Sequence, residues 1–262
     1  MKLYTNGCSF TNGHQPFDEH KITQTYKDYS IESDLKKFAW PWVLGEHFDF
    51  TFNHGRYASG LDRTVRTTLE FINHLDEDEY DDWIFILQAS QPHRKEYIHE
   101  KYEAYGQVAP PLQHQSLKDA WLQYRGSHSD EMDIRTYGED PLSDLTMEFH
   151  LAWEGDVSLR IHQLKNFLVL QEVLKSKGIK YLFTSMMRQD TNVKHNLSRK
   201  SELIDNLMLY LDHDNVVESI ELITEPYDKK THYDDCGHPN SNGHKVVAEY
   251  FKTELENRNW LT

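Results

Sequence analysis

The chain has 262 residues, enough for one large domain with a full apolar core or for one domain carrying a substantial insertion. Asp and Glu outnumber Lys and Arg by 43 to 28, a net charge of −15, and no basic stripe interrupts that field, so a phosphate backbone is not an expected partner. No apolar run approaches the roughly 20 residues that span a bilayer, and Met1 to Ser9 lacks the apolar region of a signal peptide, so a cytoplasmic protein with no membrane partner is expected.

In chain order, short apolar runs alternate with segments of helical period, the pattern of a parallel sheet covered on both faces. Lys2–Thr5 reads as a first strand running into the turn Asn6-Gly7-Cys8-Ser9. Phe48–Phe52 reads as a second strand that ends at Asn53-His54-Gly55, and Leu61, Val65, Leu69 and Ile72 mark one face of the helix after it. Trp83–Gln88 is continuously apolar up to its last residue, as a central parallel strand should be. A helix is expected from Asp156 to about Lys177, closed by Gly178 just before a fourth strand, Lys180–Ser185. Leu203, Ile204, Leu207, Met208 and Leu211 mark a further helix, and Asn215–Glu218 reads as a weaker fifth strand. The last helix begins near Ser241, with Val246, Val247, Tyr250, Phe251 and Leu255 facing inward. The expectation is one α/β domain with about five strands.

Two stretches break this rhythm. Phe17 to about Trp42 is polar and follows the first turn, and residues 94–153 are rich in Tyr, His and Gln with few aliphatic side chains. Segments this long inside one domain are expected to be a lid, a binding loop or a small subdomain. Both leave from carboxyl ends of predicted strands, where such sheets bind ligands. Tyr97, Tyr102, Tyr105, Trp121, Tyr124, Tyr137, Phe149 and Trp153 suit stacking on sugar faces or gripping acyl chains, or a small core of the insertion itself.

The chemistry concentrates at the two ends. A serine hydroxyl is a weak nucleophile until a base takes its proton, and Gly7-Cys8-Ser9-Phe10-Thr11 sets one on a tight turn opening a helix. Asp234-Asp235-Cys236-Gly237-His238-Pro239-Asn240 precedes the last helix, and Asp235 stands three residues before His238. An acid so placed can hold one imidazole nitrogen while the other faces a partner. Each segment alone is also explained as a turn with a helix cap. Cys8, beside Ser9, raises a thiol alternative; its side chain should point away from that of Ser9 and is read as a small buried residue. Asp234, Asp235, His238 and His244 match no metal-binding spacing such as His-Glu-x-x-His, so no metal is expected, and His244 is read as capping or packing the last helix.

Taken together, these two segments resemble the first and last blocks of the SGNH (GDSL-like) hydrolase superfamily, which includes lipases and carbohydrate esterases. The resemblance implies a three-layer α/β/α, flavodoxin-like fold and a triad of Ser9 as nucleophile, His238 as base and Asp235 as its orienting acid. It also implies an oxyanion hole from the N–H groups of Ser9 and a glycine in Asn53–Arg63, Gly60 first and Gly55 second. The chain departs from the family at its third block: Leu87-Gln88-Ala89-Ser90-Gln91-Pro92-His93-Arg94 holds no Asn to donate to the oxyanion, leaving Gln91, or else Gln88 or Ser90. Losing such a donor typically costs about 10²–10³ in turnover. Arg94 and Arg188, each just past a predicted strand, could anchor an acidic substrate.

The expected function is a serine esterase acting on small acyl esters, such as O-acetyl groups on carbohydrate, without a cofactor. Two alternatives stay open: an O-acyltransferase using the same residues, and a glycan-binding or assembly module whose catalysis has decayed.

Overall fold

The computed structural model describes residues 1–13, 38–56, 59–90, 95–99, 104–108, 156–186, 202–233 and 238–261. Its centre is a four-stranded parallel sheet in the order β2-β1-β3-β6, built from β1 (Lys2–Asn6), β2 (Phe50–Asn53), β3 (Trp83–Ala89) and β6 (Lys180–Ser185). Counted along the parallel strands alone this is 2-1-3-4, the beginning of the flavodoxin-like order. The expected fifth strand is reduced to one parallel bridge, Phe183 to Val216, between a 3-10 turn at His213–Asn215 and the next helix. Of residues 94–153, a hairpin is described, β4 (Lys95–His99) antiparallel to β5 (Ala104–Val108), separate from the central sheet.

Two cores, one on each face of the sheet, make the three layers. On one face Tyr4, Phe85, Leu87 and Phe183 meet α3 (Leu61–Ile72), α4 (Asp156–Ser176) and α5 (Glu202–Met208) through Leu61, Phe167, Leu170 and Ile204. On the other, Leu3, Ile84, Ile86 and Leu182 meet α1 (Ser9–Asn12), α2 (Trp40–Gly45), α6 (Ile220–Thr224) and α8 (Ser241–Asn257) through Phe10, Trp40, Ile220 and Phe251. All seven residues of β3 are buried, because both of its faces are covered. The three-layer α/β/α class expected from the sequence is the fold observed.

Local departures have physical causes. α2 lies where the polar stretch was expected to run on to Trp42; the fully buried Trp40 packs on Phe251 at 4.7 Å and Pro41 opens the helix. α4 ends as expected at Gly178, whose φ of +69° suits a glycine and whose N–H reaches the Lys175 carbonyl at 3.1 Å. Leu203 faces solvent at 53% exposure, and the helix is anchored instead by Ile204. On α8 the buried row is Val247, Ala248, Phe251 and Leu255, with Val246 and Tyr250 only half-buried. No described helix is long and apolar enough to cross a membrane.

Candidate active site

β1 lies between β2 and β3, so the strand order reverses beside it, and a parallel sheet leaves its ligand crevice at the carboxyl ends around such a point. Ser9 is there, two residues beyond Gly7 and first in the one-turn helix α1. The turn is fixed from three strands. Asn53, at the end of β2, donates from Nδ2 to the Thr11 carbonyl at 2.9 Å, and its Oδ1 accepts from Thr5 Oγ1 and the Gly55 N–H at 3.1 and 3.0 Å. From β3, the Gln88 Oε1 accepts from the Cys8 N–H and from Thr11 Oγ1 at 3.3 and 2.5 Å. From β1 itself, Asn6 Oδ1 accepts the Gly7 N–H at 2.9 Å.

Beneath the turn lies a polar network. Asn6 Nδ2 faces Thr67 Oγ1, Tyr4 Oη and Thr68 Oγ1 at 2.8, 3.0 and 3.1 Å, all buried. Burial pushes the Tyr4 phenol up, so it stays a neutral donor or acceptor. His54, 3.2 Å from Tyr4 Oη, is held down to about 4 by burial and then by the Arg63 guanidinium, so it is neutral at ordinary pH. Arg63 donates to the His54 carbonyl at 3.0 Å, which ties the segment after β2 to α3.

His238 reaches the same point from the far end of the chain. Its Nε2 stands 2.9 Å from Ser9 Oγ across 229 residues of sequence, and its ring lies 5.0 Å from that of Phe10. Ser9 is 2% exposed and His238 is half-buried. The segment carrying His238 is clamped where it meets α8. Asn240 caps that helix, its Oδ1 accepting from the Asn242 and Gly243 N–H groups at 2.9 and 3.2 Å. Its Nδ2 donates to the carbonyls of Thr231 and Tyr233 at 3.0 and 3.3 Å, in and just after α7 (Lys229–His232). The helix cap that the sequence also allowed in this segment is therefore present, and it is Asn240. His244 packs: it is 1% exposed, neither ring nitrogen has a partner among the described residues, and burial holds it down to about 4.

The other expected site residues divide into three groups. Cys8 is fully buried, with Sγ against Gln88 Oε1 and Met186 Sδ at 3.5 Å each, in the core beneath the turn. Of the two candidate glycines, Gly55 has its N–H committed to Asn53, whereas Gly60 is the N-cap of α3 and its N–H has no acceptor among the described residues. Among the described residues the Gln88 carbonyl is turned to the Ser9 turn and its buried Nε2 has no acceptor, and the buried Ser90 hydroxyl likewise has no partner. Asp235, Gln91, Arg94 and Arg188 lie outside the described residues.

Sequence reading missed the supporting shell. Asn53 and Asn6 read as strand-end residues, and nothing in the linear pattern pairs Gln88 with Cys8, 80 residues away. Asn240 carried a signal, an Asn directly before a helix that opens Ser-Asn-Gly.

No protein-family model matches this chain, and no curated protein matches it in sequence. Among solved structures it is similar to a lipolytic protein of the G-D-S-L family from Veillonella parvula DSM 2008, at 12% identity over 98% of each chain with a TM-score of 0.46. It is also similar to a G-D-S-L lipolytic protein from Desulfitobacterium hafniense DCB-2, at 14% identity over 97% of this chain and 99% of that one, TM-score 0.41. An acetylxylan esterase from Geobacillus stearothermophilus is similar at 11% identity over 97% and 93%, TM-score 0.42.

Proposed function

We propose that this chain is a serine hydrolase of ester bonds. The observation that carries the reading is the 2.9 Å contact between His238 Nε2 and Ser9 Oγ at the carboxyl end of β1. A serine held that close to an imidazole can be deprotonated as it attacks. In the reaction His238 takes the Ser9 proton while Oγ adds to the acyl carbonyl carbon. The tetrahedral intermediate collapses as His238 returns that proton to the departing alkoxide. Water, deprotonated by His238, then releases the acyl group as a carboxylic acid. Asp235 accepts from the other ring nitrogen of His238 and stabilises the imidazolium. The oxyanion is met by the N–H groups of Ser9 and Gly60, with Gln91 as a side-chain donor.

For substrate we propose small acyl esters, O-acetyl groups on carbohydrate in particular. The support is the aromatic and polar make-up of residues 94–153, together with the absence of an apolar run there that would grip a long chain. Arg94 and Arg188 would hold an acidic group beside the cleft. An acyltransferase would use the same residues with a sugar hydroxyl in place of water.

The test is hydrolysis of p-nitrophenyl acetate and longer acyl esters by wild type, Ser9→Ala and Cys8→Ala. Turnover lost in Ser9→Ala and kept in Cys8→Ala, falling with chain length, is the expected result. No turnover above the Ser9→Ala background, with no labelling of Ser9 by a phosphonate, would instead favour a binding module.

A further inference from the structure

We propose that Gln88 is a positioning residue for Ser9, capping from β3 the one-turn helix that begins with the nucleophile. The kinetic part of this proposal rests on the hydrolase reading above. α1 has four residues, and its N-cap, Cys8, makes no side-chain capping bond. In a capping box, the side chain of the third helical residue reaches back to accept the N-cap N–H. Here that residue is Thr11, whose hydroxyl is too short for the task. Gln88 supplies the missing acceptor. Its Oε1 takes the Cys8 N–H at 3.3 Å and the Thr11 hydroxyl at 2.5 Å, so one oxygen holds the residues on both sides of Ser9 and Phe10. The Cys8 thiol points to the same atom at 3.5 Å.

Three convergent donors decide which way the amide faces, because a reversed amide would set N–H against N–H. The side chain is fully buried, and its Nε2 finds no acceptor among the described residues. A buried amide with half of its hydrogen bonds unmade is costly, so its place in an otherwise apolar strand end follows from what its oxygen does. Gly7 makes room for it: a Cβ at position 7 would stand 2.6 Å from Gln88 Oε1 and 2.7 Å from its Cβ. Strand and turn are therefore fitted to each other at the point that sets Ser9 beside His238. Gln88 acts through the turn and not on substrate.

The experiment compares wild type with Gln88→Met, which has similar length and no acceptor, and Gln88→Glu, which keeps an oxygen at the same place. Three readouts are taken: phosphonylation of Ser9 by a fluorophosphonate, kcat and KM for p-nitrophenyl acetate, and amide hydrogen exchange at Cys8 to Asn12. Displacing a reacting group by a fraction of an ångström to one ångström costs up to about a hundredfold. On that scale Gln88→Met should lose about ten- to a hundredfold in labelling and kcat while KM moves by about twofold or less. Exchange at the Cys8 amide should quicken by about tenfold or more, and Gln88→Glu should recover most of both losses. Wild-type labelling in Gln88→Met, or a folded Gln88→Glu as slow as Gln88→Met, would overturn the proposal. If wild type itself does not label, the hydrolase reading fails separately, and unchanged Cys8 exchange in Gln88→Met overturns the clamp. Should Gln88→Met not fold, Thr11→Val removes one donor and leaves Gln88 in place; severalfold slower labelling supports the clamp and an unchanged rate overturns it.

Discussion

Gly243→Ala should separate catalysis from stability. A Cβ at Gly243 would stand 2.3 Å from the His232 carbonyl oxygen and 3.0 Å from Pro239 Cβ. Ordinary contact begins near 3.4 Å, so something must give by about 1 Å. Neither atom is the loose end of a side chain: one is backbone that also accepts the Asn240 N–H at 3.0 Å, the other a proline ring next to His238. The relaxation therefore runs through the turn that carries His238. Overpacking costs about 1–3 kcal/mol, and Ala in place of Gly inside a helix returns about 1 kcal/mol. The net loss is about 0–2 kcal/mol, a fall in Tm of no more than about 8 °C for a domain of this size. Activity should fall much further, by about a hundredfold, because the base moves by about 1 Å relative to Ser9 Oγ. The assay is ester turnover and Ser9 labelling beside a thermal melt, with the exposed Lys245→Ala on the same helix as control. A folded Gly243→Ala with wild-type turnover would refute the reasoning, either in the close approach or in the role given to His238.

Three other outcomes are expected. His244, buried without a partner among the described residues, has its pKa lowered from 6.5 to about 4, so the unfolded chain binds a proton more tightly than the folded one between those pH values. That contribution, about 3 kcal/mol at most, is complete above pH 6.5 and lost as pH falls toward 4; wild type should therefore lose stability relative to His244→Phe on acidification, and melting curves that stay parallel would contradict this. Asn240→Ala removes the cap of α8 and two donors to the carbonyls of Thr231 and Tyr233, and should cost about 1–3 kcal/mol by chemical denaturation with a larger drop in turnover. Asn6→Ala strands the buried Gly7 N–H and removes the amide donor that Tyr4 Oη and the Thr67 and Thr68 hydroxyls share, and a loss of about 2–4 kcal/mol is expected; a loss below about 1 kcal/mol would show that water replaces the amide.

The layers were legible because they are written in apolar periodicity. Trp83–Gln88 has nowhere to go but a central strand, and Leu61 with Ile72 on one side and Phe251 with Leu255 on the other supply the two faces it needs. The contact of Ser9 with His238 was legible for a different reason: two short segments of recognisable chemistry stand near the two ends of the chain, and the fold brings both to the carboxyl end of β1. Where periodicity was weak the reading drifted. Val216 sits on one bridge where a strand was expected, and Leu203 turned outward while Ile204 and Leu211, with Leu207 and Met208 beside them, meet the core.

What sequence patterns do not carry is the polar layer between that core and Ser9. Asn6, Thr64, Thr67, Thr68, Gln88 and Ser90 are buried at positions an apolar pattern assigns to hydrophobes or to loop. Their partners are distant in sequence, so no window along the chain contains both ends of a bond such as Asn6 to Thr67 or Gln88 to Cys8. Local rules fail in this way where a fold spends stability to hold a group in place, and buried polar side chains cost more than the aliphatic ones they displace unless each finds a partner. Here Asn6 and Gln88 find theirs in Gly7, Cys8 and Thr11, around Ser9, and the α3 threonines find theirs in helix carbonyls, Asn6 and Tyr4. The failure of the pattern is thus itself a pointer: the six buried polar residues come from β1, α3 and the end of β3, and two of them, Asn6 and Gln88, bond directly to the turn whose Ser9 hydroxyl lies 2.9 Å from an imidazole.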